Sequence, residues 1–232
     1  MKQKIMALMP AAGTGTRFGD ALPKQYLDIA GRPMIFYALQ ALAKVSRVDG
    51  IVVVLSPDDN HWGDFQSHWA QLGGKVATAM VGGRSRGETI ANGIEAVAAR
   101  PGTTVGDWVL VHDAARPCIR TELIEQFIDE LENDRVGGLL AMPLADTIKQ
   151  DDGDLRVART VAREGIWRAQ TPQMFRLGML RDAMAACPKA TDEAQAIEAL
   201  GHRPKLVMGD GANLKVTYAP DLKLARMLLT EE

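Results

Sequence analysis

The sequence predicts an α/β protein with a mostly parallel central sheet and helices on both faces. Short runs of β-type residues alternate with longer stretches of helical spacing. The β-type runs are almost unbroken in apolar residues, as strands covered on both sides must be. Right-handed crossovers then place the loops at the strands' carboxyl ends together, on the side where such sheets bind ligands.

Residues 5–9 form the first strand. Two lysines precede this run, but about seven apolar residues leading straight into glycines read as a strand and not as a signal peptide. Further strands are expected at 50–55, 75–79, 107–111 and 138–142. Helices are expected at 34–44, 58–72, 88–100 and 121–132. In the last of these, Leu123, Ile124, Phe127, Ile128 and Leu131 recur at three- and four-residue spacing, the mark of one buried face. The pattern changes near residue 145. Two β-type segments there flank Asp151-Asp152-Gly153-Asp154, with Asp152-Gly153 as a tight-turn candidate. A ribbon over 145–170 is either surface decoration or an arm that grips a second subunit. Helices at 177–186, 192–200 and 221–228 and strands at 206–208 and 214–217 complete the chain. With no repeat, linker or low-complexity segment, residues 1–232 are expected to form one domain with this excursion.

Composition narrows the partners. Apolar residues make up 47% of the chain, enough for a sizeable core. Lys and Arg number 27 against 29 acidic residues, a net charge of -2, so nothing draws the whole surface to nucleic acid or to an anionic membrane. Any phosphate must be held by locally gathered basic groups. Cys118 and Cys187 lack metal-ligand spacing and read as small packed residues. No run approaches the roughly 20 apolar residues of a membrane span. The expectation is a reduced, cytoplasmic protein.

Three clusters carry candidate chemistry. The first strand opens into PAAGTGTRFGDALPKQY, where Gly13, Gly15 and Gly19 allow backbone to approach a ligand and successive amides can cradle phosphate. Arg17 and Lys24 supply a donor fork and a mobile point charge. The second cluster is GGRSRGETI. There Gly82 and Gly83 can meet a nucleobase edge, Thr89 offers a hydroxyl or a helix cap, and Arg86 can brace the loop or reach phosphate. The third, VHDAARP, follows a strand. It places Asp113 where an open sheet holds a catalytic or metal-binding carboxylate, with Arg116 close by. Asp113 as a turn or cap residue is the competing reading, and His112 reads as structural. Composition alone leaves kinase, hydrolase and nucleotidyltransferase open.

At these motifs the chain resembles the 2-C-methyl-D-erythritol 4-phosphate cytidylyltransferase family of the non-mevalonate isoprenoid pathway. PAAGTGTRFG, LPKQY, GGRSRGETI, VHDAARP, PLADTIK, RTVAREGIWRAQTPQMF, TDEA and NLKVTYAPDLKLA occur in family order along nearly the whole chain. Thr89 stands where the family usually has Ser, and Phe18 where Met is usual. The short C-terminus goes with an expectation of no fused cyclase domain.

The resemblance implies a three-layer Rossmann-like nucleotidyltransferase fold with a protruding β-ribbon arm. It implies magnesium-dependent transfer of CMP from CTP to a polyol phosphate, with Arg17, Lys24 and Lys215 as catalytic residues. Backbone from Ala11 and Ala12 through Gly13, Thr14, Gly15 and Thr16 would underlie the triphosphate; Gly82, Gly83, Arg84 and Thr89 would frame cytosine. Asp113, Arg116, Thr171 and Thr191 would meet the second substrate, Asp113 also serving Mg2+ or its hydration shell. Thr147 and Arg163 on the arm would enter a neighbouring subunit's site in a homodimer. Ribitol 5-phosphate cytidylyltransferases, UTP- or GTP-using sugar-phosphate nucleotidyltransferases and a non-enzymatic phosphate binder are the alternatives.

Overall fold

The computed structural model describes residues 3–13 and 22–230. In chain order the regular elements are β1 (Ile5–Pro10), β2 (Asp28–Ile29), β3 (Arg32–Pro33), α1 (Met34–Lys44), β4 (Val48–Val54), α2 (Gln66–Trp69), β5 (Val76–Ala79), α3 (Arg86–Ala98) and β6 (Trp108–Val111). Then follow α4 (Thr121–Leu131), β7 (Gly137–Pro143), β8 (Ile148–Asp151), β9 (Val157–Val161), β10 (Trp167–Arg176), α5 (Leu177–Ala186), α6 (Glu193–Ala199), β11 (Lys205–Met208) and α7 (Ala219–Thr230).

Alternation along the strands sets the layers. Ile5, Ala7 and Met9 of β1 pack on one face with Ile51 and Val53 of β4, under α1 and α4. Met6 and Leu8 pack on the other with Val52 and Val54, under α3, α5 and α6. Both residue sets are buried, which is why the strands read as continuous apolar runs. The seven-stranded sheet has the order β11-β7-β10-β6-β1-β4-β5. Only β10 runs antiparallel to its neighbours, β6 and β7. From β1 the chain steps outward to β4 and β5, then returns to lay β6 on β1's other side. This reversal opens a crevice at the carboxyl ends of β1, β4 and β6. Among the described residues no helix is long and apolar enough to cross a membrane.

Four local expectations need correction. The helix expected at 58–72 is broken into a 3-10 turn at Trp62–Phe65, the single turn α2 and a second 3-10 turn at Ala70–Leu72. Asp59 Oδ1 takes the amides of His61 and Trp62, and the indoles of Trp62 and Trp69 stack at 4.1 Å, so side chains replace part of the helical bonding. Residues 214–217 form no strand, because Val216 spends its amide on the Ala115 carbonyl and its carbonyl on the Lys24 ammonium. The ribbon turn is wider than Asp152-Gly153. It runs from Asp152 to Arg156, with Gly153 and Leu155 at φ 98° and 59° and Asp152 Oδ1 accepting from Asp154 and Arg156. Finally, β10 is a strand that no apolar run in the sequence announces. Arg168, Gln170, Pro172 and Gln173 hide an interior strand, and its pairing with β7 shifts register across 169–173, where Pro172 has no amide to donate.

Candidate active site

The crevice is a cleft of about 490 Å³ whose walls come from each of the three motif clusters. Ala11, Ala12 and Gly13 continue β1 into its floor; Thr14, Gly15, Thr16 and Arg17 lie outside the described residues. Lys24 sits on a 3-10 turn that is fastened to this floor by its neighbour, since Gln25 Nε2 donates to the Ala11 carbonyl at 2.8 Å. Tyr26 anchors the same turn by donating to Asp59 Oδ2 at 2.8 Å and stacking on Phe65. Lys24 Nζ reaches the Val216 carbonyl at 2.8 Å, which ties the turn to the loop that carries Lys215.

The opposite wall is the loop before α3. Gly82 donates to the Leu55 carbonyl at 2.8 Å, and a Cβ there would strike Ala12 and stand 2.7 Å from that carbonyl. Only glycine lets the loop lie this close to the end of β1. Ser85 Oγ caps α3 by accepting from the Glu88 amide, and Glu88 reaches back to the Arg84 amide, a reciprocal cap spelled by S-x-x-E. The Thr89 hydroxyl is buried. It accepts from the Gly83 amide at 3.1 Å and donates to the Ser85 carbonyl at 2.9 Å, fastening the glycine loop to the helix.

Between these walls sits Asp113. Its Oδ1 accepts from Arg86 Nε and Nη2 at 3.1 and 2.9 Å, and its Oδ2 accepts from Lys215 Nζ at 2.8 Å. Burial alone would raise this carboxyl, but Arg86 and Lys215 outweigh it and hold it far below the usual carboxylate range. Arg86 in turn forks onto Glu193, whose side chain is fully buried, at 2.8 and 3.3 Å. The described lining thus holds four cations, Lys24, Arg84, Arg86 and Lys215, around one carboxylate. Such a wall suits a polyanion.

His112 takes no part in the lining. It is fully buried, and burial lowers its pKa from 6.5 to about 4. Thr171 Oγ1 lies 3.2 Å from its Nδ1, and its Nε2 lies 3.1 Å from the Arg116 carbonyl. A neutral ring that donates from Nε2 satisfies both contacts. Thr171 also accepts from the Asp113 amide at 3.1 Å, so β10 steadies the carboxylate from behind. Arg116 is buried outside the cleft lining and donates to the Asn213 carbonyl at 2.7 Å, clamping the Lys215 loop. Thr191 is exposed beside the cap of α6, and its amide donates to Gln195 Oε1. Thr147 and Arg163 are exposed at the root of the β8–β9 ribbon, apart from the cleft of their own chain.

Sequence reasoning passed over Gln25, Tyr26, Glu193 and Gln173. Gln173 bonds Asp192 and the Ala194 amide, joining β10 to α6. The signal lay in the same short motifs, LPKQY, QTPQ and TDEA, whose less reactive members are the braces.

The match of this architecture to known proteins is close. The family model for IspD, 2-C-methyl-D-erythritol 4-phosphate cytidylyltransferase, matches residues 5–231. The chain belongs to this family. A 2-C-methyl-D-erythritol 4-phosphate cytidylyltransferase from Dechloromonas aromatica (strain RCB) is 51% identical over 223 residues, 96% of each chain. One from Nitrosospira multiformis is 51% identical over 231 residues, 98% of each. A solved 4-diphosphocytidyl-2C-methyl-D-erythritol synthase superposes with a TM-score of 0.87 at 38% identity, covering 99% of both chains. The expected Rossmann-like nucleotidyltransferase fold is therefore the one present.

Proposed function

We propose that the cleft binds CTP along the Gly13 floor and the Gly82–Gly83 loop, and that Lys215 and Asp113 work where it meets the second substrate. The chain is a cytidylyltransferase, joining CMP from CTP to 2-C-methyl-D-erythritol 4-phosphate with release of pyrophosphate. The observation that carries the residue assignment is the convergence of Lys24, Arg86 and Lys215 around Asp113 at the sheet's reversal point.

An oxygen of the polyol phosphate attacks the α-phosphorus in line while the bond to the β-phosphate bridging oxygen breaks. Both reactants are anions, so positioning and charge neutralisation are the main tasks. Lys24 and Lys215 oppose the charge that shifts towards pyrophosphate, a task the family resemblance also gives to Arg17. The attacking phosphate is already ionised near neutral pH and needs no base. A neutral, buried His112 fits that economy.

Magnesium is the expected companion of the triphosphate. Among the described residues no group of three or more His, Cys, Asp or Glu side chains is placed to hold a metal. Such a site suits an ion that arrives on phosphate oxygens and keeps most of its water. Asp113 is the carboxylate of the described lining, and three donors leave one of its roughly four lone-pair positions for the ion or its water. When bound, the ion supplies further neutralisation of phosphate charge.

The arm completes the reading. The β8–β9 ribbon forms a sheet of its own, and Leu155 and Val157 at its tip are 93% and 62% exposed. A two-stranded ribbon is marginal alone, which favours packing on a second copy in a homodimer. Thr147 and Arg163 then serve the partner's polyol phosphate site. Product analysis tests the activity. CTP with methylerythritol phosphate should yield the cytidine diphosphate product and pyrophosphate, while ribitol 5-phosphate, UTP and GTP should not support turnover. Preferred turnover of ribitol 5-phosphate would overturn the substrate assignment.

A further inference from the structure

Glu193 is a buried carboxylate that the reaction above does not use. It stands at the first position of α6, is 0% exposed and is absent from the cleft lining. Its partner is Arg86. The guanidinium is gripped along two edges: Nε and Nη2 face Asp113 Oδ1, while Nη1 and Nη2 face Glu193 Oε1 and Oε2. Two carboxylates distant in the chain, one after β6 and one opening α6, thus fix one planar group, a geometry that a guanidinium fork can satisfy and an ammonium cannot.

Arg86 also lines the cleft, and its side chain is 31% exposed. A guanidinium at that position has a second possible partner, the triphosphate. We propose that Glu193 is a positioning residue for nucleotidyl transfer: it holds Arg86 back on Asp113, so that Asp113 presents Oδ2 to Lys215. The inference rests on the assignment of Asp113 and Lys215 to the reacting centre. Its logic is charge division. Glu193 matches the charge of Arg86 from the dry side, which leaves the charge of Asp113 to place Lys215. Without Glu193, Arg86 loses half of its grip and turns to bound phosphate. CTP is then held at least as well in its ground state, but Lys215 loses its seat.

This predicts a split that a merely structural role does not produce. In Glu193→Gln, kcat should fall by about 100-fold, the order for displacing a reacting group by about an ångström, while KM for CTP stays level or drops. Glu193→Asp keeps the charge and should recover part of the lost kcat. In a background of Arg86→Gln, adding Glu193→Gln should cost nothing further, since Glu193 acts through Arg86. Lys215→Ala is the control for the underlying assignment. If it leaves kcat intact, the assignment falls and this inference with it. If Lys215→Ala is slow but Glu193→Gln keeps its kcat, raises KM instead, or adds its full cost to Arg86→Gln, the role of Glu193 alone is overturned. Should Glu193→Gln fail to fold, Glu193→Asp carries the test: a drop in kcat without a rise in KM supports the role, and any other result overturns it.

Discussion

Lys215 and Asp113 lie 102 residues apart in the chain and meet at 2.8 Å on the wall of the cleft. Asp113 hangs from the end of β6, while Lys215 rides on the loop before α7, so the fold has to bring them together. It does so with backbone bonds on either side: Val216 donates to the Ala115 carbonyl, and Arg116 clamps the Asn213 carbonyl. Val216 is itself buried beside Met34 and Ala225. The loop is held by packing, and its lysine is left 44% exposed to the cleft.

Lys215→Ala should therefore damage catalysis far more than stability. The ion pair is partly exposed, and such pairs add little to folding. The lost charge faces the transferring phosphates, where one well-placed electrostatic contact is worth on the order of 3 kcal/mol, or about 100-fold in kcat/KM. Circular dichroism and melting should be nearly those of the parent. A folded variant with parental kcat/KM would remove Lys215 from the reacting centre.

Thr89 is predicted to act through the loop it holds. Thr89→Ser keeps the hydroxyl bonds and should keep activity. In Thr89→Val the Gly83 amide loses its acceptor, whereas the Ser85 carbonyl keeps the Thr89 amide. One stranded donor costs about 1–3 kcal/mol. The expected result is a KM for CTP raised about tenfold and a weaker preference for CTP over UTP. Unchanged CTP affinity and preference in the valine variant would show that the hydroxyl is dispensable to the nucleotide site.

How far the sequence reveals this site depends on the kind of residue. Lys24 follows the glycine-rich loop and Asp113 stands at a strand end, so local pattern singles them out, whereas Lys215 is unremarkable alone and is marked only by the family resemblance. Glu193 does not stand out, because an acidic residue in the first turn of a helix ordinarily faces solvent and favours the helix dipole. Only the docking of α6 against α3 and α5 buries it on Arg86. The strand β10 is hidden for a related reason. Gln170, Thr171 and Gln173 are polar because they bond loops across the sheet, and this erases the apolar run by which its neighbours are recognised. The parallel strands β1, β4, β5, β6 and β7 keep their apolar runs and read correctly.

His112 gives the fold a defined acid sensitivity. Its folded pKa of about 4 lies below the unfolded value of 6.5, so between these pH values the unfolded chain binds the extra proton. Its contribution is fully present above about pH 6.5 and is lost as pH falls towards 4, a total of about 3 kcal/mol. Asp113, depressed in the folded state, adds a loss of the same sign only at the acid end of the window, where the unfolded carboxyl begins to protonate, and Glu193, raised by burial, opposes it there. Urea unfolding from pH 7 to pH 4 should show this slope, and Thr171→Val should disturb His112 while leaving the window in place. A parent protein with flat stability across the window would contradict a buried neutral ring.

Arg163 tests whether one active site draws on two chains. It lies on the return of the ribbon, exposed and away from its own cleft. The ribbon is stitched internally by Lys149 to Thr160 and by Arg159 to Gln150, both at 2.7 Å, yet its tip leaves Leu155 and Val157 in solvent. These apolar groups would gain from burial against a second copy, and a guanidinium delivered that way fits a phosphate as a fork. If Arg163 were only a solvated charge, Arg163→Ala would be nearly silent. In the dimer reading, Arg163→Ala and Lys24→Ala homodimers are both weak, because each carries one lesion in both sites. Exchanging subunits between them creates dimers in which one site holds both lesions and the other holds neither. Activity should then return towards half that of the parent per mixed dimer. Verified mixed dimers with no recovery would place Arg163 and Lys24 in the same chain's site, or Arg163 in none.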